Sequence, residues 1–169
     1  NKSEPFEPRG YITDYYTDEA IKVIKKNKNR PFFLYLSHFA PHNPLQALRD
    51  DYDHFHHIEG EFSEELKVYS GMLKALDRSV GRILDTLEKN NLTDNTLIVL
   101  TSDNGGANYI HLSDINKPYR GWKLTHFEGG LHVPFMAKWP NKIEPGIEFN
   151  APIHANDILP TFAAAAGAE

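Results

Sequence analysis

The chain has 169 residues, contains no cysteine and carries a formal charge of -5, from 18 basic and 23 acidic side chains. This length suffices for one domain with a hydrophobic core. The small acidic excess argues against nucleic acid or an anionic membrane as a partner, and we expect neither. The lack of cysteine excludes a disulfide framework, a thiolate nucleophile and a Cys-ligated zinc site.

Two long segments carry the pattern of amphipathic helices. Over residues 14–29 and again over residues 63–90, apolar side chains recur three or four positions apart, which places them on one face of a helix. Thr17 or Asp14 can cap the first helix, because either side chain can accept a hydrogen bond from a free backbone N–H. We therefore predict two long helices with apolar stripes, and we expect the stripe of the second to lie on the sheet.

Three apolar runs are predicted strands: residues 32–36, 96–101 and 133–139. Pro134 suits an edge or first-residue position in the last of them. Asn156 or Asp157 can cap a short helix that follows and ends before Gly167. Because predicted helices and strands alternate along the chain, we expect an α/β fold with a mostly parallel sheet flanked by helices.

The most informative functional signal follows the second predicted strand. Asp103 and Asn104 end the apolar run, and Gly105 and Gly106 come directly after them. Open α/β sheets bind ligands at the carboxyl ends of their strands, and carboxylate and amide oxygens suit calcium or magnesium. Glycines there let the backbone approach a ligand closely. The alternative is a strand that ends in an ordinary Asn-Gly turn.

Further candidate residues lie in two other loops. His42 follows the run 32–36, and Lys123 belongs to the polar segment 104–127, which is too long for a simple connector and is expected to be a functional loop. A divalent cation and Lys123 can neutralise a bound oxyanion, and His42 can donate a proton to a departing alkoxide. Taken alone, His42 is better explained as a loop histidine and Lys123 as a solvated lysine. Together they predict a metal-assisted anion site.

The order and spacing of these motifs resemble the C-terminal part of the catalytic domain of the type I sulfatases, which belong to the alkaline-phosphatase-like superfamily. The resemblance runs almost from end to end of the chain. The matching segments are YYTDEAI at 15–21, PFFLYL at 31–36, APHNP at 40–44, TSDNGG at 101–106, YRGWK at 119–123, EGG at 128–130, VPF at 133–135 with WP at 139–140, and NDILPT at 156–161.

The resemblance implies a role for each matching site residue. Asp103 and Asn104 match ligands of a calcium ion, with magnesium the less expected metal, and Lys123 matches a lysine that contacts sulfate oxygens. His42 matches a histidine close to the bridging oxygen of the ester. His38 and His126 flank these segments and are further candidates for substrate contact. The implied substrate is a sulfated small molecule or carbohydrate, and the implied compartment is periplasmic, extracellular or lysosomal.

The chain also departs from the family pattern. The family nucleophile is a formylglycine made from the first residue of a Cys/Ser-x-Pro-x-Arg signature, and the nearest imitation here, which starts at Ser3, has Glu7 where arginine belongs. We therefore expect residues 1–169 to be a partial sulfatase catalytic domain that is inactive alone, its nucleophile lying in an absent N-terminal half. The rest of the parent chain is then its partner. His132 stands where the family commonly has arginine.

Other functions remain open at this stage. The same cation, histidine and lysine would also serve a phosphohydrolase or a phosphonate hydrolase of the superfamily. The missing nucleophile also allows a non-catalytic carbohydrate-binding segment. If the substrate or ligand is a carbohydrate, the candidates for sugar recognition are Asp114, Asn116 and Tyr119, because they lie in the long polar loop.

Overall fold

The computed structural model describes Glu4, residues 6–112 and residues 114–168. In chain order, the elements of this described part are α1 Ile12–Asn27, α2 Arg49–Asp53, α3 Ser63–Lys89, β1 Ile98–Thr101, α4 Glu128–Leu131, β2 Phe135–Lys138 and α5 Ile158–Ala165. They fall into two compact units, the first comprising residues 1–92 and 102–133 and the second residues 93–101 and 134–169.

The core of the first unit lies between α1 and α3. Ala20 and Ile24 on α1 are buried, as are Met72, Ala75 and Leu87 on α3. These buried positions recur at helical spacing and pack α1 and α3 against each other, whereas the apolar stripe of α3 was predicted to lie on a sheet. The predicted helix at 63–90 is confirmed as α3, Ser63–Lys89.

Helix α1 begins two residues before the predicted start. Its N-cap is Tyr11, which makes no side-chain capping hydrogen bond. The capping role predicted for Thr17 is wrong, because Thr17 lies inside the helix, fully buried, and its hydroxyl donates to the carbonyl of Thr13 over 2.7 Å. Asp14 lies in the first turn, where its negative charge interacts favourably with the helix dipole.

Helix α2 was not predicted from the sequence, and it packs against α3 through a buried carboxylate. Asp51 is 2% exposed and accepts hydrogen bonds from Arg78 at 2.7 Å and Lys74 at 3.0 Å. Burial alone would raise the pKa of Asp51, but the hydrogen bonds from these two cations outweigh it, so that the pKa lies below its ordinary value. The pairing keeps this buried carboxylate charged at neutral pH.

The second unit contains β1 and β2, which pair antiparallel with Ile98 opposite Lys138 and Thr101 opposite Phe135. Pro134 directly precedes β2, as predicted for a first-residue position. Two of the three predicted strands are thus present, although their pairing within the described residues is antiparallel where a mostly parallel sheet was expected.

The third predicted strand, at residues 32–36, is not assigned to a sheet. The run has the alternating exposure of an extended segment, with Phe33 73% and Tyr35 80% exposed. A strand is defined by its ladder of hydrogen bonds to a neighbour, and no such ladder reaches this run from the part of the chain that the structure describes. The apolar pattern therefore predicted the extended backbone but not its pairing.

A short 3-10 turn, Ala155–Asp157, precedes α5 in the second unit. The Nδ1 atom of His154 accepts from the N–H of Asn156, and the Asp157 carboxylate accepts from the N–H of His154 over 2.8 Å. Asp157 stands at the N-cap position of α5, as predicted, but its side chain closes the preceding turn and makes no capping hydrogen bond to α5. Gly167, with φ +74°, follows the helix as predicted. Among the described residues, no helix combines the length and apolar character needed to cross a bilayer.

Candidate active site

Three segments of the first unit meet backbone to backbone. The N–H of Gly105 donates to the carbonyl of Gly130 over 3.1 Å, and the N–H of Lys123 donates to the carbonyl of Gly106 over 3.0 Å. The N–H of Gly129 donates to the backbone carbonyl of Arg120 over 2.7 Å. We call this contact the glycine junction; it consists of Gly105, Gly106, Gly121, Gly129 and Gly130.

The junction requires glycine because its backbones lie too close for a side chain. A Cβ atom built at Gly105 would lie 1.8 Å from the carbonyl oxygen of Gly129, and one built at Gly129 would lie 2.2 Å from that of Gly121. Gly121 also has φ +91°, a conformation that favours glycine. The sequence suggested that glycines after Asp103 would admit a ligand. In the structure, Gly105 admits another stretch of the same chain.

Lys123 is held by this junction, and its side chain reaches His42. The Nζ atom of Lys123 lies 3.3 Å from Nε2 of His42, although the two residues are 81 positions apart in the chain. His42 is exposed, and its ring packs against that of Phe39 at 5.2 Å between centroids. Two residues predicted from separate loops to act on one anion are therefore neighbours.

The hydrogen bonds of His42 indicate which ring nitrogen carries the proton. Its Nδ1 atom lies 2.7 Å from the carbonyl oxygen of Asn43, which can only accept, so Nδ1 is the donor. In the neutral ring, Nε2 then carries a lone pair, and this lone pair faces the Lys123 ammonium. The pair can surround an anionic oxygen with donors once a proton occupies Nε2.

Asp103 and Asn104 lie just before the glycine junction in the chain. Asp103 is exposed, and within the described part of the chain its carboxylate has no hydrogen bond or ion pair. Asn104 is half-buried, and its backbone carbonyl accepts from the Ser102 hydroxyl over 2.9 Å. Because Gly105 and Gly106 are bonded to Gly130 and Lys123, the backbone that carries Asp103 and Asn104 is fixed to the backbone that carries Lys123.

The donor types of Asp103 and Asn104 fit calcium, which binds carboxylate and amide oxygens. Calcium takes about six to eight oxygen ligands, more than these two side chains can offer. The described residues hold no group of three or more acidic or histidine side chains that could bind a metal. The two residues therefore fit one part of a calcium site. Their role as ligands stays a prediction.

His38 lies against helix α3, where its ring contacts the side chain of Ser79. Its Nε2 atom is 2.9 Å from the Ser79 hydroxyl, which is 2.6 Å from the Thr17 hydroxyl of α1. Burial lowers the pKa of His38 below its ordinary value. Its Nδ1 atom is buried without a partner in the described part of the chain. These contacts favour a structural role at the helix interface, and substrate contact by His38 stays a prediction.

His126 directly follows a tight turn in which the hydroxyl of Thr125 donates to the carbonyl of Trp122 over 2.7 Å. The ring of His126 is exposed, and its proposed contact with substrate stays a prediction. His132 pairs with Glu128 over 3.0 Å and stacks on Tyr119 with 4.4 Å between ring centroids. One face of the Tyr119 ring is therefore covered by His132.

Asn116 is the residue whose importance the sequence reasoning missed. It was a candidate for sugar recognition, but the structure shows its side-chain amide bonded to Gly106 and Gly121 instead. The only sequence signal was its place between two glycine-containing motifs, since an asparagine in a polar loop has many other uses.

Comparison with known proteins gives consistent results. The family model described as Sulfatase matches residues 1–168. The chain is 38% identical over 155 residues to "Uncharacterized sulfatase YdeN" of Escherichia coli (strain K12), covering 90% of this chain and 27% of that protein. It is 34% identical over 172 residues to steryl-sulfatase of Rattus norvegicus, covering 98% of this chain and 28% of that protein.

Among solved structures, the chain is similar to Ps i-CgsB in complex with k-i-k-neocarrahexaose, with a TM-score of 0.91 and 42% identity. The match covers 99% of this chain and 37% of that one. This similarity confirms the predicted α/β, alkaline-phosphatase-like fold class. The chain therefore spans little more than a quarter of the curated relatives' length, and over that span it belongs to the sulfatase family.

Proposed function

We propose that the parent protein hydrolyses sulfate monoesters and that these residues supply one side of its active site. The observation that carries the proposal is the Lys123–His42 pair, with 3.3 Å between Nζ and Nε2 and with the backbone of Lys123 fixed by the glycine junction. A cation and an imidazole at this distance can both contact one small oxyanion. Family membership of residues 1–168 supports sulfate as that oxyanion.

Each member of the pair has a distinct task in the proposed reaction. When the bond between sulfur and the bridging oxygen breaks, negative charge develops on the leaving alcohol oxygen. Lys123 stabilises charge on the sulfate oxygens, and His42 lies where it can donate a proton to the leaving oxygen. His42 takes the proton that it donates from solvent, so Lys123, whose ammonium faces Nε2, keeps its positive charge beside the sulfate.

Two groups that this chain does not supply complete the proposed chemistry. Asp103 and Asn104 would supply some of the ligands of a calcium ion, and the charge of that ion would neutralise sulfate oxygens. We expect the nucleophile to come from outside these 169 residues, which contain neither a cysteine nor a Ser-x-Pro-x-Arg sequence, and the family resemblance suggests a formylglycine in another part of the parent chain. The residues present act by binding, orienting and protonating the ester.

We further propose that the substrate is a sulfated carbohydrate. The support is the 42% identity to Ps i-CgsB, which was solved in complex with k-i-k-neocarrahexaose. The half-exposed ring of Trp122 lies next to Lys123 in the chain, and an aromatic face of this kind can pack on the apolar face of a pyranose. The relation to steryl-sulfatase makes a sterol sulfate the alternative to test.

The test is turnover by the full-length parent protein of a chromogenic aryl sulfate, an aryl phosphate, a sulfated carrageenan oligosaccharide and a steryl sulfate. We expect the aryl sulfate to exceed the aryl phosphate and the oligosaccharide to exceed the steryl sulfate. Lys123→Ala should lower kcat by about 100-fold, since it removes a charge that acts in the transition state. Asp103→Ala should weaken calcium binding, measured by calorimetry, together with activity.

Lys117→Ala is the matched control, because Lys117 lies in the same loop but is exposed and pairs only with Asp114 among the described residues. It should leave kcat close to that of the wild type. A wild-type protein that prefers the phosphate, or that turns over neither ester, would contradict the proposed function. A rise in KM alone for Lys123→Ala would show that the lysine binds substrate and transition state equally.

A further inference from the structure

The side-chain amide of Asn116 joins two loops that carry different parts of the proposed site. Its Oδ1 atom accepts from the N–H of Gly106 over 2.8 Å, and its Nδ2 atom donates to the carbonyl of Gly106 over 2.9 Å. The second hydrogen of Nδ2 is donated to the carbonyl of Gly121 over 3.1 Å. All the hydrogens of this half-buried amide are therefore used, and the orientation of the amide is fixed.

The two glycines place this bridge next to the chemistry. Gly106 lies three residues after Asp103 and two after Asn104, the predicted calcium ligands, and Gly121 precedes Lys123 by two residues. The carbonyl of Gly106 accepts from Nδ2 of Asn116 and also from the backbone N–H of Lys123. The Gly106 carbonyl thus links residues 103–106, the backbone of Lys123 and the Asn116 amide.

Only a carboxamide of this length meets the geometry. Gly106 offers one donor and one acceptor, and Gly121 offers a second acceptor, so the bridging group needs one acceptor and two donors. A carboxylate would place an oxygen against two carbonyl oxygens. Gly106 must also remain glycine, since a Cβ there would lie 2.7 Å from the Ile115 side chain and 3.0 Å from Oδ1 of Asn116.

We propose that Asn116 is a positioning residue that sets calcium affinity and transition-state stabilisation together, by holding Asp103 and Asn104 in a fixed relation to Lys123. The inference rests on the proposed function. It differs from a general stabilising role in one respect: the loss of the amide changes two functional quantities that belong to separate loops.

The experiment compares three substitutions of Asn116 in the full-length parent protein. Asn116→Asp keeps the shape and one acceptor but removes both donors, Asn116→Leu keeps similar volume without hydrogen bonds, and Asn116→Gln keeps the amide but displaces it by one methylene. The matched control is Asn90→Asp. Asn90 is another half-buried asparagine of the same unit, and its Nδ2 atom donates to the carbonyl of Thr86 over 2.8 Å at the end of α3.

Three measurements are made on each protein: calcium affinity by calorimetry, kcat and KM for an aryl sulfate, and backbone hydrogen exchange of residues 103–106 and 121–123. Asn116→Asp should weaken calcium affinity by about tenfold and lower kcat by about 100-fold. Asn116→Leu should do the same and speed exchange in both segments, and Asn116→Gln should show smaller changes in the same direction. Asn90→Asp should lower thermal stability without changing calcium affinity or kcat.

The inference is overturned if Asn116→Asp and Asn116→Leu keep wild-type calcium affinity and kcat, or if they lose only thermal stability, as the control does. It is also overturned if exchange rises in one segment alone, because the two loops would then not be joined through Asn116. A wild-type protein without sulfatase activity would overturn the proposed function instead, and hydrogen exchange would still decide whether Asn116 couples the loops.

Discussion

The α1–α3 helix pair and the glycine junction lie in the same unit but are built in opposite ways. Between the helices, side chains fill the space, and Ile24 and Ala75 are almost completely buried. At the junction, Gly105 pairs with Gly130 and Gly129 pairs with Arg120 through backbone hydrogen bonds, and the absence of glycine side chains is what allows these contacts. One region depends on what its side chains add, and the other on what they leave out.

The difference shows that glycine substitutions should have opposite effects in the two regions. Gly129→Ala forces a methyl group to within 2.2 Å of a backbone carbonyl, which cannot move without breaking the junction. We expect a loss of about 3 kcal/mol or more in unfolding free energy and a fall of at least about 100-fold in kcat/KM of the parent enzyme. Denaturant unfolding and aryl sulfate turnover measure these effects.

The matched control for Gly129→Ala is Gly81→Ala on α3. A Cβ at Gly81 meets no atom within 4 Å, and alanine is the better helix former, so the unfolding free energy should rise by about 0.5–1 kcal/mol. If both substitutions destabilised the protein to the same extent, the contrast between the two regions would be wrong.

A substitution in the helix pair should affect stability but not catalysis. Ser79 is fully buried, and its hydroxyl links His38 to Thr17. Ser79→Ala should cost about 1–3 kcal/mol of unfolding free energy, because the partners left behind stay buried, while kcat of the parent enzyme should stay near that of the wild type. Ser70→Ala, at a half-buried position of the same helix, should change neither quantity appreciably. A large loss of kcat in Ser79→Ala would place His38 in the active site after all.

The smallest expected effect is the change in folding stability with pH that arises at the interface of α1 and α3. Burial holds the pKa of His38 below its ordinary value of 6.5, so below about pH 6.5 the unfolded chain binds a proton that the folded chain resists. Stability should therefore fall as the pH drops from 7.5 to 5. The pKa of Asp51 is also lowered, from an ordinary value of 3.8, and its contribution should be lost only in more acidic solution.

The measurement is the urea midpoint between pH 7.5 and 5 for the wild type, for His38→Asn and for the exposed-site control His57→Asn. His38→Asn should flatten the pH dependence, and His57→Asn should leave it as in the wild type. An equal slope in all three proteins would show that His38 is not the titrating group.

Periodicity predicted the regular part of the fold because a helix repeats one contact many times. The three- and four-residue spacing of apolar side chains over residues 63–90 specified α3 to within one residue of its end. The same reasoning could not find the pairing of residues 32–36, because an apolar run determines an extended backbone but not its neighbour. It also placed the cap of α1 too late, since Tyr11 caps that helix without a side-chain signal.

The candidate site was predicted only in part for a related reason. His42 and Lys123 carry chemistry that their residue types reveal, and the sequence predicted that both act on one anion; the structure places them 3.3 Å apart. Asn116 carries no such signal, because its role consists of three hydrogen bonds to backbone atoms of Gly106 and Gly121, which are not its neighbours in the chain. Backbone partners have no side-chain identity, and so they leave no trace in a sequence motif.

The 81 positions between His42 and Lys123 have a consequence for folding. Helices α1 and α3 are complete by Lys89, so their interface can form on a nascent chain well before Lys123 has been synthesised. Closing the large loop between histidine and lysine costs chain entropy that only later, non-local contacts repay. The His42–Lys123 pair should therefore form late, after a helical scaffold is already in place.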